Sequence, residues 1–428
     1  MSLKERILSR SNIFSAIYCM ESYVFEKGLL NTNDKVYSLE DRIIADNDLE
    51  LYYALGDKFN HKLIQDVINL CIKRLTEILS SNDELFEISV YFKLKSYDKG
   101  LKFRPMHTAR LIDMICMVSI LVCLMYDDKE KRNLSDLSKL IPHNFYGNLP
   151  STDVKYLFKR WQTQYKEYTQ DVIDHCRTYQ KNHRFLTEIS LDIKNFFPSV
   201  SPQFLYSYII GKLDSTFKKE DEGTLKMAVA KLLYFKVNKI NIEPWLEEYY
   251  NKESINQLKE GEYMNCGIPQ GLPQSYFFGN LCMIEVKKRL MQDDFFKGDA
   301  YFYVDDSIIY IQSSLDSDSF KGKISALNDE MEKFCKEKRS VPKDLSDFFP
   351  QKYIDFHSQI DYTIRFHEEG KSSFCHIDNA DNHLGGFENL ARETSMASNL
   401  FWNLDEIDET ISYKKCKAIS EVVDKEIR

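Results

Sequence analysis

Two adjacent carboxylates, Asp305 and Asp306, stand between two apolar runs in Ala300-Tyr-Phe-Tyr-Val-Asp-Asp-Ser-Ile-Ile-Tyr-Ile311. The β-branched and aromatic residues on either side predict two strands joined by a tight turn, with the acids at its tip. Acids in such a turn are most often simply solvated. Here the flanking runs are apolar at nearly every position, so both strands should be buried on both faces. Neighbouring carboxylates in such a place repel one another and lose hydration, a cost that a cation removes. Carboxylate oxygens suit hard divalent cations, and Mg²⁺ takes one or two of them together with phosphate oxygens.

A second acid sits in a related setting. In Ser190-Leu-Asp192-Ile-Lys-Asn-Phe-Phe-Pro-Ser199, Asp192 ends an apolar run that reads as a strand and precedes an aromatic turn. Alone, such an Asp is more often the cap of the next helix. Taken together, Asp192, Asp305 and Asp306 supply the donors of a three-carboxylate cage. Such a cage holds two Mg²⁺ ions roughly 4 Å apart and serves in-line phosphoryl or nucleotidyl transfer.

The elements that must position these acids follow from the pattern. Ile64, Ile68, Cys71, Leu75 and Ile78 recur at helical steps and give residues 59–80 one apolar face. Residues 10–30 also read as helix, and 40–50 as an acidic loop. Ile88–Leu94 and Leu101–Pro105 read as strands around a turn. The run Leu111–Tyr126 reads as a buried helix, followed by a basic and aromatic helical region over 151–184 and the strand Phe185–Ile193. Helices are expected over 202–213, 222–236 and 276–291, the last after a loop at 265–275 rich in Gly, Pro and Gln. The tail from 387 onwards reads as helical. Gly and Pro number only 15 and 10 in 428 residues, which favours long helices over turn-dense folds.

Composition narrows the setting. With 43% apolar residues a large core is available, and the length fits two or three packed units. Ten cysteines form no CxxC pair, which points to thiols used as small apolar residues in a reducing compartment. The Leu111–Tyr126 run contains Asp113 and is shorter than the ~20 residues that span a bilayer. No signal peptide is visible at the start, so a soluble, cytoplasmic protein with no membrane partner is expected. The net charge of −9 ranks nucleic acid low among partners. The charges are segregated, however. Residues 93–110 hold six Lys/Arg against one Asp, and residues 151–184 hold seven against four acids. Acid-rich blocks lie at 40–50, 243–262 and 405–409.

At these residues the chain resembles the reverse transcriptases, the palm-domain polymerases with a Tyr-x-Asp-Asp box. Tyr303-Val304-Asp305-Asp306 matches that box, and Asp192 matches the Asp of the first palm motif. Gly267-Ile-Pro-Gln270-Gly271-Leu-Pro-Gln-Ser275 matches the Pro-Gln-Gly-x-x-x-Ser loop. Phe103-Arg104-Pro105, before the 111–126 helix, looks like the fingers motif whose Arg grips the triphosphate. The resemblance runs in order from about residue 90 to 386. It implies an α+β right-hand polymerase: a helical N-terminal extension over 1–85, fingers over 86–185, a palm over 186–386 with a fingers segment around 205–265, and a helical thumb-like region over 387–428.

The resemblance also implies roles. Asp192 and Asp305 would bridge two Mg²⁺ ions, Asp306 would complete the cage, and the Ile193 carbonyl would add a ligand. Arg104 would contact the triphosphate of a dNTP, assisted by Lys95. Gln270 and Gly271 would line the nucleotide pocket, unless they form an ordinary strand-to-helix turn. Phe197, five residues after Asp192, would block a ribose 2′-OH, or else be a core aromatic. Lys371 would be the late-palm general acid or a solvated turn lysine. His383-Leu-Gly-Gly386 falls where the primer grip is expected.

The 42 residues after Gly386 are expected to form thumb helices, with no RNase H domain. What remains resembles the bacterial abortive-infection and defence-associated reverse transcriptases. That implies cDNA synthesis on a dedicated, structured non-coding RNA in antiphage defence. Template-independent or protein-primed DNA synthesis stays open, as does a non-catalytic RNA-binding scaffold.

Overall fold

A helix with one apolar stripe covers a core, whereas one that is apolar all round must lie inside it. Both kinds occur here. The structure, a computed structural model, describes residues 1–20, 61–96, 102–128, 132–182, 186–213, 219–238, 258–259, 262–338, 342–368 and 370–377. Helices α1 (Leu3–Leu8), α2 (Arg10–Met20) and α3 (His61–Ile78) precede the antiparallel pair β1 (Glu87–Ser96) and β2 (Lys102–Ala109). Next comes α4 (Leu111–Met125), then the short elements β3 (Tyr126–Asp128), β4 (Asn133–Leu134), α5 (Asp136–Lys139) and β5 (Phe145–Tyr146). The long α6 (Trp161–Asn182) leads to β6 (Thr187–Asp192), α7 (Phe196–Ser199), α8 (Pro202–Leu213) and α9 (Glu222–Leu233). Three small strands follow, β7 (Lys236–Asn238), β8 (Leu258–Lys259) and β9 (Glu262–Met264). After α10 (Pro273–Leu290) come β10 (Asp299–Tyr303), β11 (Asp306–Ile311), α11 (Ser317–Glu337), α12 (Gln351–Gln359) and β12 (Ser373–His376).

The strands form two five-stranded sheets, ordered β2-β1-β7-β9-β8 and β12-β6-β11-β10-β5, and a separate antiparallel pair, β3-β4. Each five-stranded sheet combines antiparallel neighbours with one parallel pair, β1/β7 in the first and β10/β5 in the second. The architecture is therefore α+β with mixed sheets. Among the described residues no helix is long and apolar enough to cross a membrane.

α4 lies at the centre of the main core, with nearly every side chain buried. Its one acid, Asp113, is matched by Arg74 of α3, whose Nε lies 2.8 Å from Asp113 Oδ1. The same guanidinium donates to the Leu85 carbonyl at 2.9 Å. Asn12 of α2 donates to the Ser119 carbonyl at 2.9 Å and hydroxyl at 2.7 Å. These bonds pair most of the polar atoms that enter the apolar helix bundle; the buried Asn12 Oδ1 finds no partner among the described residues.

The second sheet is covered differently on its two faces. Ile189, Leu191, Phe302, Ile309 and Ile311 point into the main core, which also holds α10 and α11. On the other face, Tyr301, Ile308 and Tyr310 pack with Tyr146 and with Tyr168, Val172, Ile173 and Cys176 of α6. The period-two alternation of strands makes this division.

Some boundaries differ from the sequence expectation. Residues 151–160 are not helical: Pro150 bridges Phe158, and the Lys159 amide donates to the Leu149 carbonyl at 2.8 Å. Side chains of Ser151 and Asp153 take the Asp153 and Lys155 amides at 3.0 Å each, a local alternative to helical bonding. The helix expected to 236 ends at Leu233, because the Lys236 amide pairs with the Phe86 carbonyl at 3.1 Å. The helix expected from 276 begins at Pro273, a residue suited to the first turn. The expected helix beyond Met20, the acidic loop at 40–50, His383–Gly386 and the tail from 387 lie outside the described residues.

Behind the β10–β11 turn, Gly147 adopts φ +80°, and a Cβ there would stand 2.9 Å from Val304 Cγ2. Gly147→Ala is expected to lower the unfolding free energy by about 1–3 kcal/mol. Gly211→Ala in α8, where nothing lies within 4 Å of the added Cβ, should instead stabilise by about 0.5–1 kcal/mol. Urea unfolding of the two variants checks the contrast, and equal effects would count against it.

Candidate active site

Asp192 ends β6 and Asp306 begins β11, and the register sets them directly opposite each other. Tyr303 pairs with Asp306 across the β10–β11 hairpin, leaving Val304 and Asp305 as its two-residue turn. Val304 has φ +56° while Asp305 does not enter the left-handed region. That is the pattern of a type II′ turn, which suits the twist of a hairpin. A β-branched residue with positive φ is strained by about 1–3 kcal/mol, so the surrounding packing must hold this turn.

The three carboxylates share one electrostatic field. The Asp305 carboxyl is raised to about 7, first by dense surroundings that strip its hydration, then by the charges of Asp306 and Asp192; Arg104 opposes the rise. Asp192 is buried, and its Oδ2 accepts from the ammonium of Lys371. The Asp192 carbonyl accepts from the His367 amide at 2.9 Å, and the Lys194 amide donates to Arg365 at 2.7 Å. These two bonds flank an isolated bridge between Ile193 and Phe366, and neither uses the Ile193 carbonyl.

The donor chemistry fits a hard divalent ion: three carboxylates, with a peptide carbonyl next in sequence. As the side chains stand, no group of three or more His, Cys, Asp or Glu among the described residues is gathered tightly enough to hold a metal. One of the three acids is engaged by Lys371.

Arg104 of β2 belongs to the same field. Burial lowers its pKa, while Asp305, Tyr276, Asp192 and Asp306 pull it back up, in that order. Lys95 falls at an irregularity of β1, where Leu94 pairs with Phe103 and Ser96 with Lys102; its side chain lies outside the described residues. Gln270 and Gly271 are more than a plain turn. The Gln270 carbonyl accepts from the His107 amide at 2.7 Å and from His107 Nδ1 at 3.1 Å. A carbonyl only accepts, so the imidazole proton is on Nδ1. Gly271 has φ +112°, and a Cβ there would come within 2.5 Å of the His107 carbonyl oxygen. Only glycine lets the loop and β2 approach so closely. Phe197 is buried in α7, its ring edge-on to Tyr276 at 5.8 Å. Its side chain is thus a buried aromatic packed on Tyr276, a residue whose charge would act on Arg104.

Several residues escaped sequence reasoning. His107 and Tyr276 adjoin recognised motifs but carry no motif signal of their own. Tyr165 and Tyr168 of α6 both contact the Tyr303 ring at 5.6 Å. Burial raises both hydroxyls and the charge of Asp306 adds to this, taking Tyr165 to about 12. Glu188, buried two turns of the pleat from Asp192, accepts from the Tyr310 hydroxyl at 2.8 Å. No family model matches the chain, and no curated protein matches it.

Burial pushes His107 down to about 4, against the hydrogen bond to Gln270 that favours its charged form. In the unfolded chain it titrates near 6.5, so between about 6.5 and 4 the unfolded state binds more protons. The stability contribution of neutral His107 is full above the unfolded value and is lost as pH falls. His357, pushed down to about 3 by burial, acts in the same direction. Asp305, raised to about 7, acts in the opposite direction over the same window. The two histidines outweigh it, so unfolding free energy should fall from about pH 6.5 to about pH 4, and His107→Gln should make the slope shallower. Denaturant titrations at several pH values test this; an unaltered slope would exclude His107 as a contributor.

Proposed function

We propose that the chain is an RNA-directed DNA polymerase of the reverse transcriptase kind. In this reading it makes cDNA from a dedicated, structured RNA with dNTPs and two Mg²⁺ ions. The observation that carries the reading is the register of Asp192 against Asp306, with Asp305 in the adjoining turn and Arg104 in the same field. Four sequence motifs far apart in the chain belong to elements that border one another there.

In this reading the second sheet is the palm and the first belongs to the fingers. Divalent ions, when bound, would lower the pKa of a primer 3′-OH and stabilise charge on the leaving pyrophosphate. The protein supplies the rest. Asp192, Asp305 and Asp306 would hold the ions, with the Ile193 carbonyl as a further donor. Arg104 would meet the triphosphate. Gln270 and Gly271 would border the nucleotide, in a loop fastened to the Arg104 strand through His107. Phe197, backed by Tyr276, would exclude a 2′-OH. The basic residues of 93–110 would face nucleic-acid backbone. A bacterial antiphage setting rests on the resemblance to defence-associated enzymes.

Primer extension on RNA with Mg²⁺ and dNTPs tests the reading. Asp305→Ala/Asp306→Ala should lower incorporation by about a thousandfold or more; synthesis equal to the parent protein would refute the assignment. RNA bound without any incorporation would favour a scaffold instead.

Phe197→Ala should raise the ratio of NTP to dNTP incorporation by about tenfold, some 1.4 kcal/mol. Truncating so buried a ring also costs about 3 kcal/mol of stability. The ratio, measured on one preparation, is insensitive to the folded fraction. A constant ratio removes Phe197 from the gate role.

A further inference from the structure

We propose that Lys371 is a built-in counter-cation whose ammonium occupies Asp192 when no divalent ion is bound and must withdraw before one can bind. The inference rests on the reading of Asp192, Asp305 and Asp306 as a divalent-ion site, and adds to it a residue that sets how readily the site fills.

The contact is dictated by the fold. Lys371 Nζ pairs with Oδ2 of Asp192, whose side chain is 12% exposed while that of Lys371 is 41% exposed. The lysine thus reaches in from solvent to a nearly enclosed acid. The segment that carries it is fastened to the strand of Asp192 on both sides. Before it, the His367 amide binds the Asp192 carbonyl at 2.9 Å. After it, Ser373 of β12 pairs with Ser190 of β6. Asn328 of α11 grips the segment from behind, accepting from the Phe366 amide at 2.7 Å and donating to its carbonyl at 3.2 Å. The backbone is therefore tied to β6 on either side of Lys371, and the long lysine stem is the part that can swing.

Charge balance gives the contact its meaning. Three carboxylates meet two cationic side chains, Lys371 on Asp192 and Arg104 in the wider field. A divalent ion arriving at Asp192 competes with an ammonium for the same oxygen. The lysine keeps the metal-free carboxylates from repelling one another at full strength, and it weakens metal binding by the same amount.

The experiment measures Mn²⁺ binding at one pH, from the loss of the free-ion electron paramagnetic resonance signal, alongside urea unfolding of the metal-free protein. Lys371→Met should bind Mn²⁺ about three- to tenfold tighter, as loss of a half-exposed ion pair allows. Its metal-free form should unfold at lower urea, because Asp192 loses its partner. Lys371→Gln should behave alike, and Lys371→Arg should stay near the parent protein in both measurements. In an Asp192→Asn background, Lys371→Met should leave Mn²⁺ affinity unchanged, the pairwise coupling having gone. A purely structural lysine would lower stability without tightening Mn²⁺ binding, and that result overturns the proposal while leaving the metal-site reading intact. No Mn²⁺ binding by any of the proteins overturns both.

Discussion

Like charges placed directly opposite on neighbouring antiparallel strands repel, and Asp192 and Asp306 are held in that relation. A single-residue slip of β11 would relieve it by turning Asp306 to the other face. It would also turn Ile309 and Ile311 out of the main core and drive Ile308 and Tyr310 into it. Burying or exposing each such side chain is worth about 1.5–3 kcal/mol, and several change at once. The carboxylates thus stay opposed because the apolar residues behind them fix the register. The strained turn at Val304 is held in the same way, by β10 and β11 on either side and by Gly147 packed against its methyl group.

The opposed acids then call for positive charge, and it comes from two separate parts of the chain. Arg104 comes from the first sheet and Lys371 from the segment between α12 and β12. Coupling of the first sheet to the site runs through the His107–Gln270 contact, where a backbone amide and an imidazole share one carbonyl. Because His107 is neutral, the junction adds no charge to the field around the acids. It is also largely enclosed on the His107 side, and hydrogen bonds to buried groups are costly to break. Arg104 is three residues from that anchor, so its reach toward the acids is set by a rigid neighbour.

The parts that were legible in the sequence are those governed by local periodicity. The two apolar runs in 300–311, the largely apolar run 111–126 and the stripe of 59–80 each specify an element by nearest-neighbour pattern, and each element forms there. The loop at 151–160 was not legible, because its departure from helix depends on Ser and Asp side chains taking backbone amides and on a bridge at Pro150. The contact of Lys371 with Asp192 joins residues 179 positions apart. The register of Asp306 with Asp192 likewise depends on long-range packing. That these acids meet was suggested by their shared chemistry and by the resemblance to a family, not by any local pattern. The net charge says little about partners either way, because a chain-wide sum hides the basic stretch that contains Arg104.

The covering of the second sheet limits how anything can approach the acids. Strand alternation puts Asp192 and Asp306 on the same face as Tyr301, Ile308 and Tyr310, the face that α6 covers. Tyr165 and Tyr168 of that helix lie close enough to Asp306 to feel its charge. A ligand sliding across this face would have to displace a tyrosine cluster whose hydroxyls are engaged, as Tyr146 with Asp171 at 2.5 Å and Tyr310 with Glu188 at 2.8 Å. Approach over the strand ends meets less resistance: Asp306 is exposed there, Asp305 is half-exposed in its turn, and Lys371 is open to solvent on the far side of Asp192. Lys371 thus stands at this open end of the site, in contact with Asp192. An anionic ligand that drew the Lys371 ammonium away would leave the Asp192 carboxylate without its counter-charge, so the two events are linked.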